Sequence, residues 1–481
     1  MKKSVNILIE GQALDLTPGT MLTLERYNPV FDFGTVQGSK IYRFTVPYSR
    51  INDRVFQYAA DPQTVSKPRP FYAELIADGD LVEKGYVYLE KVVAAGYEIS
   101  FGSNLGSFFG DLQDVPLNLI PFGSVVLPAD HADIAPFYDE NEQLWYAFPT
   151  IQNASFFGTN VVAGFNGLVN EYDPVAGYNT AAPIVPFLSL HWVIRKLAEL
   201  CDFRVEGEFM DDPDAQRLLL YNTFALDGTP TLELRNHLPA DLTVRTLLLA
   251  LKLPPFGVAS FFDVQRRVIT LRYMEERMAT PTHLDISLKT LPQLLPGSIL
   301  DRRLELDWEL DTDDGLMKTV PAELEKYTAE PDDQETLYSL RGKFSPLARD
   351  ALTGLPRADQ LGITSLTAQK DKKFKARLLY WHGVVDDVPT AQSSHGSRSL
   401  SFAGPNNLRV QYWKRFESFR KRTFPMDVQV MLTANDLTRL DFHQRAGHEI
   451  AVHLRGVDYF VTAIKARLPL TEYSTLTLWK R

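Results

Sequence analysis

Glu449-Ile-Ala-Val-His-Leu454, Arg455-Gly456 and Val457-Asp-Tyr-Phe-Val-Thr-Ala463 follow one another in the last part of the chain and predict a β-hairpin. Apolar and polar residues alternate on both sides of Arg455-Gly456, and two residues are the length of the commonest hairpin turns. Thr475-Leu-Thr-Leu-Trp479 alternates strictly and predicts a third strand. We therefore expect a compact antiparallel module here.

A strand and a short helix are predicted just before this hairpin. Val428-Gln-Val-Met-Leu432 alternates as a strand does. Thr433-Ala-Asn-Asp436 then supplies side-chain oxygens suited to cap a helix, which Leu437-Thr-Arg-Leu440 predicts. We find no catalytic triad, phosphate loop or metal cluster motif in this stretch, and its content indicates an architectural role.

The composition is that of a folded protein with several cores. The chain has 481 residues, which predicts about three domains at ~150 residues each. Apolar residues make up 45% and aromatic residues 11% of it, which excludes a disordered chain. The net charge of −10 argues against a general nucleic-acid-binding surface, because such a surface needs a positive field.

The cysteine content and the hydropathy indicate in which cellular compartment the protein is made. Cys201 is the single cysteine, so no intrachain disulfide can form, and we expect a buried apolar role for it. The apolar run after Met1-Lys-Lys-Ser4 is too short for a signal peptide. The longest apolar stretch, Leu247–Phe262, is interrupted by Lys252 and two prolines, and falls short of the about 20 residues that span a bilayer. We expect a soluble protein made in the cytoplasm, with no membrane-spanning segment.

Residues 1–114 predict a β domain that ends in a short helix. The predicted elements are the strands Ile41–Val46, Tyr72–Ala77, Leu81–Val93 and Tyr97–Phe101, and the helix Leu105–Leu112. Asp78-Gly79-Asp80 predicts the turn between the second and third strands. The helix should pack back through Phe108, Phe109 and Leu112.

Residues 115–300 predict two further segments. Frequent prolines in 115–185 predict a loop-rich, extended insert that lies over other subunits or domains, since long ordered loops usually bind something. Residues 186–300 predict an α+β domain. Its elements are the helices Leu188–Leu200 and Val244–Leu251, the latter capped near Asp241 and Thr243, the strand Phe203–Phe209, and a hairpin from Gly257–Phe262 to Val268–Tyr273.

Residues 301–481 predict a C-terminal β-rich domain that begins acidic and becomes basic. The acidic part is Asp301–Glu335, and the basic parts are Lys370–Arg377 and Arg409–Arg422. The acidic and basic parts could contact each other within one molecule or between molecules, but we expect them to form separate solvated faces. The helix Leu408–Thr423 should turn its aromatic residues to the core and its basic residues to water, an interpretation that we prefer to nucleic-acid binding.

The whole chain therefore predicts a β-rich α+β fold. Antiparallel β-meander or barrel domains lie near both termini, with an α+β insert and a loop-rich excursion between them.

Three motifs resemble known sites, and none fits its template. Asp311-Thr-Asp-Asp-Gly315 resembles a calcium loop, but the required ligands are missing in that frame, so we expect a solvated acidic turn. His448 and His453 are five residues apart instead of the four of a zinc-protease helix, and on a strand they point to opposite faces. Trp381–Asp387 brings a histidine near two acids, and His395 follows in a polar loop, but we find no serine elbow or reactive cysteine with them. We predict no catalytic, cofactor-binding or metal-binding residues.

Two groups of segments resemble a known class of proteins. The first group is Tyr42–Asn52, Ala73–Gly79, Gly85–Leu89 and Tyr97–Phe101; the second is Phe374–Tyr380, Leu432–Leu437, Leu440–Phe442, Gly456–Phe460 and Ser474–Leu478. Together they resemble tail and baseplate hub-type structural proteins of tailed bacteriophages, of the kind found in Bacteroidetes-type phages and related contractile injection systems. The resemblance covers about half of the chain, in loose strand-and-turn patterns.

This resemblance implies a virion structural protein that acts by oligomeric assembly and not by catalysis. It implies a hub or adaptor that forms a ring, as a trimer, and joins the tail tube to the spike or to neighbouring baseplate proteins. DNA would pass through the lumen without specific binding. The protein would be assembled in the bacterial host cytoplasm and reside in the tail.

Two alternatives remain open from the sequence. A tail-associated glycan or peptidoglycan hydrolase would need two acids roughly 5–10 Å apart in a cleft. A receptor-binding tail module would use the aromatic-rich residues 131–185.

Overall fold

The computed structural model describes residues 4–36, 39–64, 70–103, 106–297, 300–331, 336–367, 374–445 and 448–481. Leu105, residues 332–335 of the acidic stretch and residues 370–373 of the basic stretch lie outside the described residues.

Strands outnumber helices in the part of the chain that the structure describes. The strands of the first part are β1 (Val5–Ile9), β2 (Gln12–Ala13), β3 (Leu22–Tyr27), β4 (Ser39–Val46), β5 (Phe71–Ala77), β6 (Asp80–Val93), β7 (Gly96–Ser103), β8 (Ser124–Val126), β9 (Phe137–Tyr138), β10 (Leu144–Ala147), β11 (Ile151–Gln152), β12 (Leu168–Val169), β13 (Tyr172–Asp173), β14 (Gly177–Tyr178), β15 (Phe187–Ser189), β16 (Arg204–Glu206), β17 (Leu218–Tyr221) and β18 (Thr231–Glu233). Those of the second part are β19 (Val258–Asp263), β20 (Val268–Tyr273), β21 (Leu284–Asp285), β22 (Thr290–Pro296), β23 (Arg303–Trp308), β24 (Tyr327–Thr328), β25 (Leu337–Gly342), β26 (Ser345–Pro346), β27 (Ala348–Arg349), β28 (Pro356–Arg357), β29 (Arg377–Val385), β30 (Val388–Gln392), β31 (Ser394–His395), β32 (Arg398–Ser399), β33 (Pro425–Val430), β34 (Ala451–Leu454), β35 (Val457–Leu468) and β36 (Ser474–Lys480).

The α-helices are α1 (Arg50–Val55), α2 (Gly106–Phe109), α3 (Leu190–Leu200), α4 (Glu208–Asp211), α5 (Val244–Lys252), α6 (Met274–Arg277), α7 (Lys414–Arg422) and α8 (Ala434–Arg445). Short 3₁₀ turns lie at Gly110–Asp114, Leu117–Leu119, His131–Asp133, Ala215–Arg217, Leu234–His237, Gly315–Lys318 and Ala322–Leu324, and a π turn at Arg409–Trp413 leads into α7. The predicted β-rich α+β fold is confirmed.

One thirteen-stranded sheet combines strands from both ends of the sequence. Its order is β2-β1-β5-β6-β7-β4-β3-β35-β36-β33-β22, with β34 and β21 paired beside β35. The central joint is the antiparallel pair β3–β35, which runs from Leu22 opposite Leu468 to Tyr27 opposite Ala463. Strands of the predicted segments 1–114 and 301–481 thus share one sheet and one core. The division of the chain into four segments remains a prediction.

Two-residue turns join two hairpins of this sheet: Arg455-Gly456 was predicted as such a turn, whereas the turn predicted over Asp78-Gly79-Asp80 is one residue shorter, because Asp80 begins β6. Ala77 lies opposite Asp80 across Asp78-Gly79, and Leu454 lies opposite Val457 across Arg455-Gly456. Both residues of each turn have positive φ, which is the type I′ geometry that matches the twist of hairpin strands.

Helix α8 packs on the inner face of the large sheet. Leu437 and Leu440 are buried against it. Thr433 and Asp436 cap the helix reciprocally: the Thr433 hydroxyl accepts from the Asp436 N–H, and the Asp436 carboxylate accepts from the Thr433 N–H. The cap was predicted correctly, but the helix is three times as long as the four residues predicted, because burial on the sheet extends it.

A second sheet of seven strands forms the middle of the molecule. Its order is β26-β29-β17-β15-β10-β9, with β30 beside β29. Most aromatic side chains of residues 131–185 are buried or half-buried against this sheet and its neighbours, including Phe148 and Phe156. The loop-rich insert packs on strands from residues 186–300 and 301–481, and its contact with other subunits remains a prediction.

The α+β elements of residues 186–300 match the prediction with small shifts. Helix α3 begins at Leu190, two residues later than predicted, because Ser189 caps it and Phe187–Ser189 is a strand. Helix α5 is capped by Thr243, which forms a capping box with Thr246, and not by Asp241. Strand β16 ends at Glu206, because α4 begins at Glu208.

Helix α2 packs on these α+β elements. Phe108 and Phe109 contact Phe203, with ring centroids 5.7 and 4.8 Å away. Leu112 is half-buried in the following 3₁₀ turn. The expectation that this helix packs back on the N-terminal strands is wrong, because Phe203 and Phe262 offer an aromatic surface that local sequence does not reveal.

Candidate functional site

Two carboxylates of the acidic turn Asp311–Gly315 are buried around an arginine, while Thr312 and Asp313 between them are exposed. Arg377 Nη1 donates to Asp314 Oδ2 at 2.6 Å, and Arg377 Nη2 lies 3.6 Å from Asp311 Oδ2. The side chains of Arg377, Asp311 and Asp314 are at most 3% exposed. The prediction of a solvated acidic turn holds for Thr312 and Asp313 but is wrong for Asp311 and Asp314, which Arg377 of β29 neutralises inside the core.

Further hydrogen bonds hold this cluster, although Arg377 Nη2 and Gln360 Oε1 are buried without a hydrogen-bond partner. Gln360 Nε2 donates to Asp311 Oδ2 at 2.8 Å, and the Asp314 carboxylate accepts the backbone N–H of Asp359 at 3.0 Å. Lys375 pairs with Glu309 nearby. The acidic and basic stretches therefore meet within one molecule, which corrects the expectation of separate solvated faces. A substrate cannot reach these carboxylates, and the arrangement ties β29 to the acidic segment.

The second candidate was the histidine near two acids at Trp381–Asp387. His382 instead contacts the backbone oxygen of Ser394 at 2.7 Å, while Asp386 and Asp387 form the turn between β29 and β30. The histidine that contacts a carboxylate is His395, whose Nδ1 lies 2.7 Å from Asp214 Oδ1. His382 lies within β29, and Asp386 and Asp387 lie at the exposed end of the hairpin.

His395 belongs to a polar cluster between β31–β32 and the α+β elements. Arg398 Nη2 donates to Asp212 Oδ2 at 3.1 Å, and the Tyr273 hydroxyl donates to the same oxygen at 2.8 Å. Burial, with Tyr412 and Asp212 nearby, raises the pKa of Tyr273 far above its ordinary value. Among the described contacts of His382 and His395 there is no serine hydroxyl, so the geometry needed for nucleophilic catalysis is not assembled here.

The predicted separation of His448 from His453 is observed. His448 lies beside a stacked pair, His283 and His443, whose ring centroids are 4.0 Å apart. Burial and the neighbouring histidines lower the pKa of His283 and of His443. His453 contacts Asp458 at 2.8 Å on the adjacent strand. Within the described ranges, no group of three or more His, Cys, Asp or Glu side chains is arranged to hold a metal ion.

Two buried ion pairs were missed by the sequence analysis. Arg277 Nε lies 3.3 Å from Glu449 Oε2, and both side chains are at most 1% exposed. Arg26 Nε donates to Glu83 Oε2 at 2.7 Å. Burial acts to lower the pKa of Arg26, but the Glu83 and Asp441 carboxylates raise it above its ordinary value. These pairs join segments far apart in sequence, so no local spacing could have indicated them.

Cys201 is half-buried, and it is the residue after α3 that caps the helix. Burial raises the pKa of its thiol, which favours the unreactive protonated form. The expected buried position is thus corrected to a partly buried one. Of the helices in the described part of the chain, none has both the length and the apolar character to cross a bilayer.

One accessible concavity is a cleft between α6, α7 and the end of β36, which we call the basic cleft. It encloses ≈ 660 Å³. Its cationic side chains are Lys414, Arg415, Arg422 and Arg481, its carboxylates are Glu275 and Glu276, and its buried apolar side chains are Met278, Phe419 and Phe460. It contains the basic helix that the sequence singled out.

The carboxylate of Glu275 is already used in this cleft. Both of its oxygens accept the backbone N–H of Arg415 at 2.9 Å, and Arg415 Nη1 donates to the Glu275 carbonyl at 2.9 Å. Burial raises the pKa of Glu275. Lys414 and Arg422 are exposed and form no ion pair with any residue that the structure describes. The cleft therefore has four cationic side chains against two carboxylates, a net positive charge over an apolar floor.

The aromatic residues of the predicted basic helix turn inward, as expected. Trp413 and Phe416 are fully buried, and the Trp413 indole N–H donates to the Pro255 carbonyl at 3.0 Å. The helical stretch begins at Leu408, as predicted, and its first part is the π turn Arg409–Trp413 that leads into α7. Its buried Arg420 lies 4.0 Å from the Tyr338 ring centroid.

A second accessible feature is the end of the β29–β30 hairpin, Val384–Asp387, which we call the Val-Asp tip. Val384 and Val385 are 57% and 42% exposed, and Asp386 and Asp387 are exposed. Asp386 and Asp387 have φ of 49° and 62°, a type I′ turn that aspartate tolerates better than most residues. Neither aspartate pairs with a cation of the described residues.

Comparisons with known proteins give structural neighbours only. No protein-family model and no curated protein match the chain. A 43 kDa tail protein of prophage MuSo2 from Shewanella oneidensis is similar at 10% identity, with a TM-score of 0.39 over 99% of this chain and 98% of that one. A tail protein from Neisseria meningitidis MC58 is similar at 10% identity and TM-score 0.37, covering 100% and 96% of the two chains. The prophage tail protein gp18 from Listeria monocytogenes EGD-e is similar at 9% identity and TM-score 0.37, covering 99% and 94%.

Proposed function

We propose that this chain is a structural protein of a bacteriophage tail or baseplate that acts by oligomeric assembly. In this role it is a hub or adaptor that joins the tail tube to the spike or to neighbouring baseplate proteins. It forms a ring of three copies in the virion tail, after assembly in the bacterial host cytoplasm. The strand-and-turn segments that resemble such proteins, Tyr42–Phe101 and Phe374–Leu478, support this role.

One observation supports the proposal: the most deeply buried ion pairs tie distant segments of the chain together, whereas the basic cleft and the Val-Asp tip are accessible. Arg377 with Asp314 and Arg277 with Glu449 are buried pairs that hold distant segments together. The basic cleft and the Val-Asp tip are open to solvent and offer charge beside apolar surface. Exposed apolar surface rimmed by charge is typical of protein–protein contacts.

The large sheet also fits a role in assembly. Its last strand, β22, contains Pro292 and a register shift, both of which prevent extension by a further strand. Arg455 donates to the Leu291 and Pro292 carbonyls of that strand at 3.1 and 3.2 Å. Because uncontrolled pairing at this edge is blocked, contacts between copies would be confined to specific surfaces.

The net charge of −10 suits a ring around passing DNA. A predominantly negative chain does not hold the phosphate backbone, so DNA can move through without specific binding.

Mass spectrometry and electron microscopy of purified particles test the proposal. We expect the protein in particles at three copies per tail, and immunogold label at the tail end. Deletion of its gene should give particles with no completed tail. Absence of the protein from purified, infectious particles would contradict the proposed role. A lytic band in a peptidoglycan zymogram would favour the hydrolase instead.

A further inference from the structure

We propose that the Val-Asp tip of one copy binds in the basic cleft of a second copy, an inference that rests on the proposed assembly function. The contact joins two different surfaces, so it is heterologous, and such contacts build closed rings when the rotation between copies is suitable.

The charges of the two surfaces are complementary. The tip presents the exposed Asp386 and Asp387, and the cleft presents Lys414 and Arg422 with no ion pair to any described residue. Arg422 is two turns after Lys414 on α7, so the two cations lie about 12 Å apart along one face of that helix. A hairpin end entering between them places a carboxylate within reach of each, and complementary charge of this kind selects the partner and the register.

The apolar parts are complementary as well. Val384 and Val385 are the exposed apolar residues of the tip. The floor of the cleft offers the ring faces of Phe419 and Phe460 and the side chain of Met278. Adjacent strand residues point to opposite sides, so one valine contacts this floor while the other contacts the wall formed by α6 or α7.

Shape and rigidity also favour this pairing. The cleft volume of ≈ 660 Å³ lies inside the roughly 300–1,000 Å³ of pockets that hold a ligand. The tip is the closed end of a β-hairpin in which Val385 pairs with Val388 across the type I′ turn. A preformed turn loses little conformational freedom on binding, which reduces the cost of association.

Disulfide trapping tests the contact, since Cys201 is the only native cysteine. In a Cys201→Ala background, one chain carries Val385→Cys and a second chain, with a larger tag, carries Ser418→Cys, an exposed position of the cleft. Under mild oxidation we expect a disulfide-linked heterodimer of the two chains. The matched control replaces the tip cysteine by Val175→Cys, at a position that is 94% exposed. We expect at least about tenfold more heterodimer from the tip than from this control.

Charge reversal gives the second arm of the experiment. Lys414→Glu with Arg422→Glu in the Ser418→Cys chain should reduce the heterodimer at least about tenfold. Adding Asp386→Lys and Asp387→Lys to the Val385→Cys chain should then restore it. Either of two results overturns the proposal: a heterodimer yield no higher than that of the Val175→Cys control, or a heterodimer yield that charge reversal does not change.

The two proposals can fail separately. Protein present in particles with no trapped heterodimer would retain the tail role and refute the tip–cleft contact. Protein absent from particles would refute the tail role itself.

Discussion

Glu25 is a buried carboxylate at the joint of the large sheet. Tyr27 and Tyr42 donate to its Oε2 at 2.6 and 2.7 Å, and Lys465 Nζ lies 3.1 Å from Oε1 on the facing strand. Burial acts to raise the pKa of Glu25, but these hydrogen bonds and the Lys465 charge outweigh it and hold the pKa below its ordinary value. The residue therefore ties β3, β4 and β35 together in its charged form.

Glu25→Gln should make stability less dependent on acid pH. Because the folded pKa of Glu25 is lowered, its contribution is complete above the ordinary value of 4.5 and is lost as the pH falls through the folded value. We expect the variant to lose about 1–2 kcal/mol of unfolding free energy at neutral pH, and much less at about pH 3. Urea unfolding at both pH values measures this, and an equal loss at both would contradict it.

Arg377→Met should destabilise the protein strongly. The substitution leaves Asp311 and Asp314 buried without their cation, which costs about 3–5 kcal/mol. Arg341→Met is the matched control, since Arg341 pairs with Asp307 while 68% exposed, and we expect it to change stability by less than about 1 kcal/mol. Chemical denaturation compares the two, and similar effects would show that the buried cluster has no special weight.

Sequence reasoning at the residue scale succeeded where the cause was local. Thr243 and Thr433 cap their helices because the hydroxyl and the N–H it accepts are three residues apart. It failed for Arg377, whose partners Asp311 and Asp314 are more than 60 residues earlier. Likewise, stacking of His283 on His443 requires β21 and α8 to be placed first. Such contacts follow from the fold, so composition and spacing do not predict them.

At the scale of elements, the turn Arg455-Gly456 fixes the hairpin of β34 and β35. Gly456 has φ +86°, and a Cβ added there would meet nothing within 4 Å. Substitution therefore tests backbone conformation alone.

Gly456→Val should cost about 1–2 kcal/mol, because a β-branched residue is strained in the left-handed region. Gly456→Asn should cost clearly less, because asparagine tolerates that region. The urea midpoint of each variant, compared with the wild type, measures both effects. Equal midpoints for the valine and asparagine variants would show that this turn does not need positive φ.

The positions of strands and helices along the chain were predicted better than the elements with which they pair or pack. Alternation and turn dipeptides located β5, β6, β7, β34, β35 and β36 within a few residues, since both signals are local. Helix α8 was predicted too short, because the sheet beneath it stabilises turns that the sequence alone does not favour. For the candidate site, the basic helix was predicted. The cleft beside it was not predicted, because it also depends on the positions of α6 and Arg481.

At the scale of the whole molecule, the pairing of β3 with β35 makes one cooperative unit from the two ends of the sequence. The two meanders were predicted, but their union was not, because pairing between strands so far apart leaves no local signal. Their shared core includes Leu24 and Ala466, both fully buried.

Amide hydrogen exchange should show β3 and β35 opening together. Leu24→Ala, which removes a fully buried side chain, should cost about 2–5 kcal/mol and reduce protection in both strands by the same factor. Val126→Ala, at a residue that is 77% exposed, should leave both unchanged. Exchange that accelerates in β3 while β35 keeps its protection would contradict a single unit.

The pairing of β3 with β35 also means that β3 must wait for its partner strand during synthesis. Leu22 emerges from the ribosome long before its partner Leu468, and at about 5–20 residues per second the delay is roughly 20–90 s. Throughout that interval the nascent chain carries an unfilled strand edge at β3, open to pairing with other nascent chains on the same messenger RNA. Slow translation or scarce chaperones should therefore reduce the yield of soluble protein more than a modest loss of equilibrium stability would.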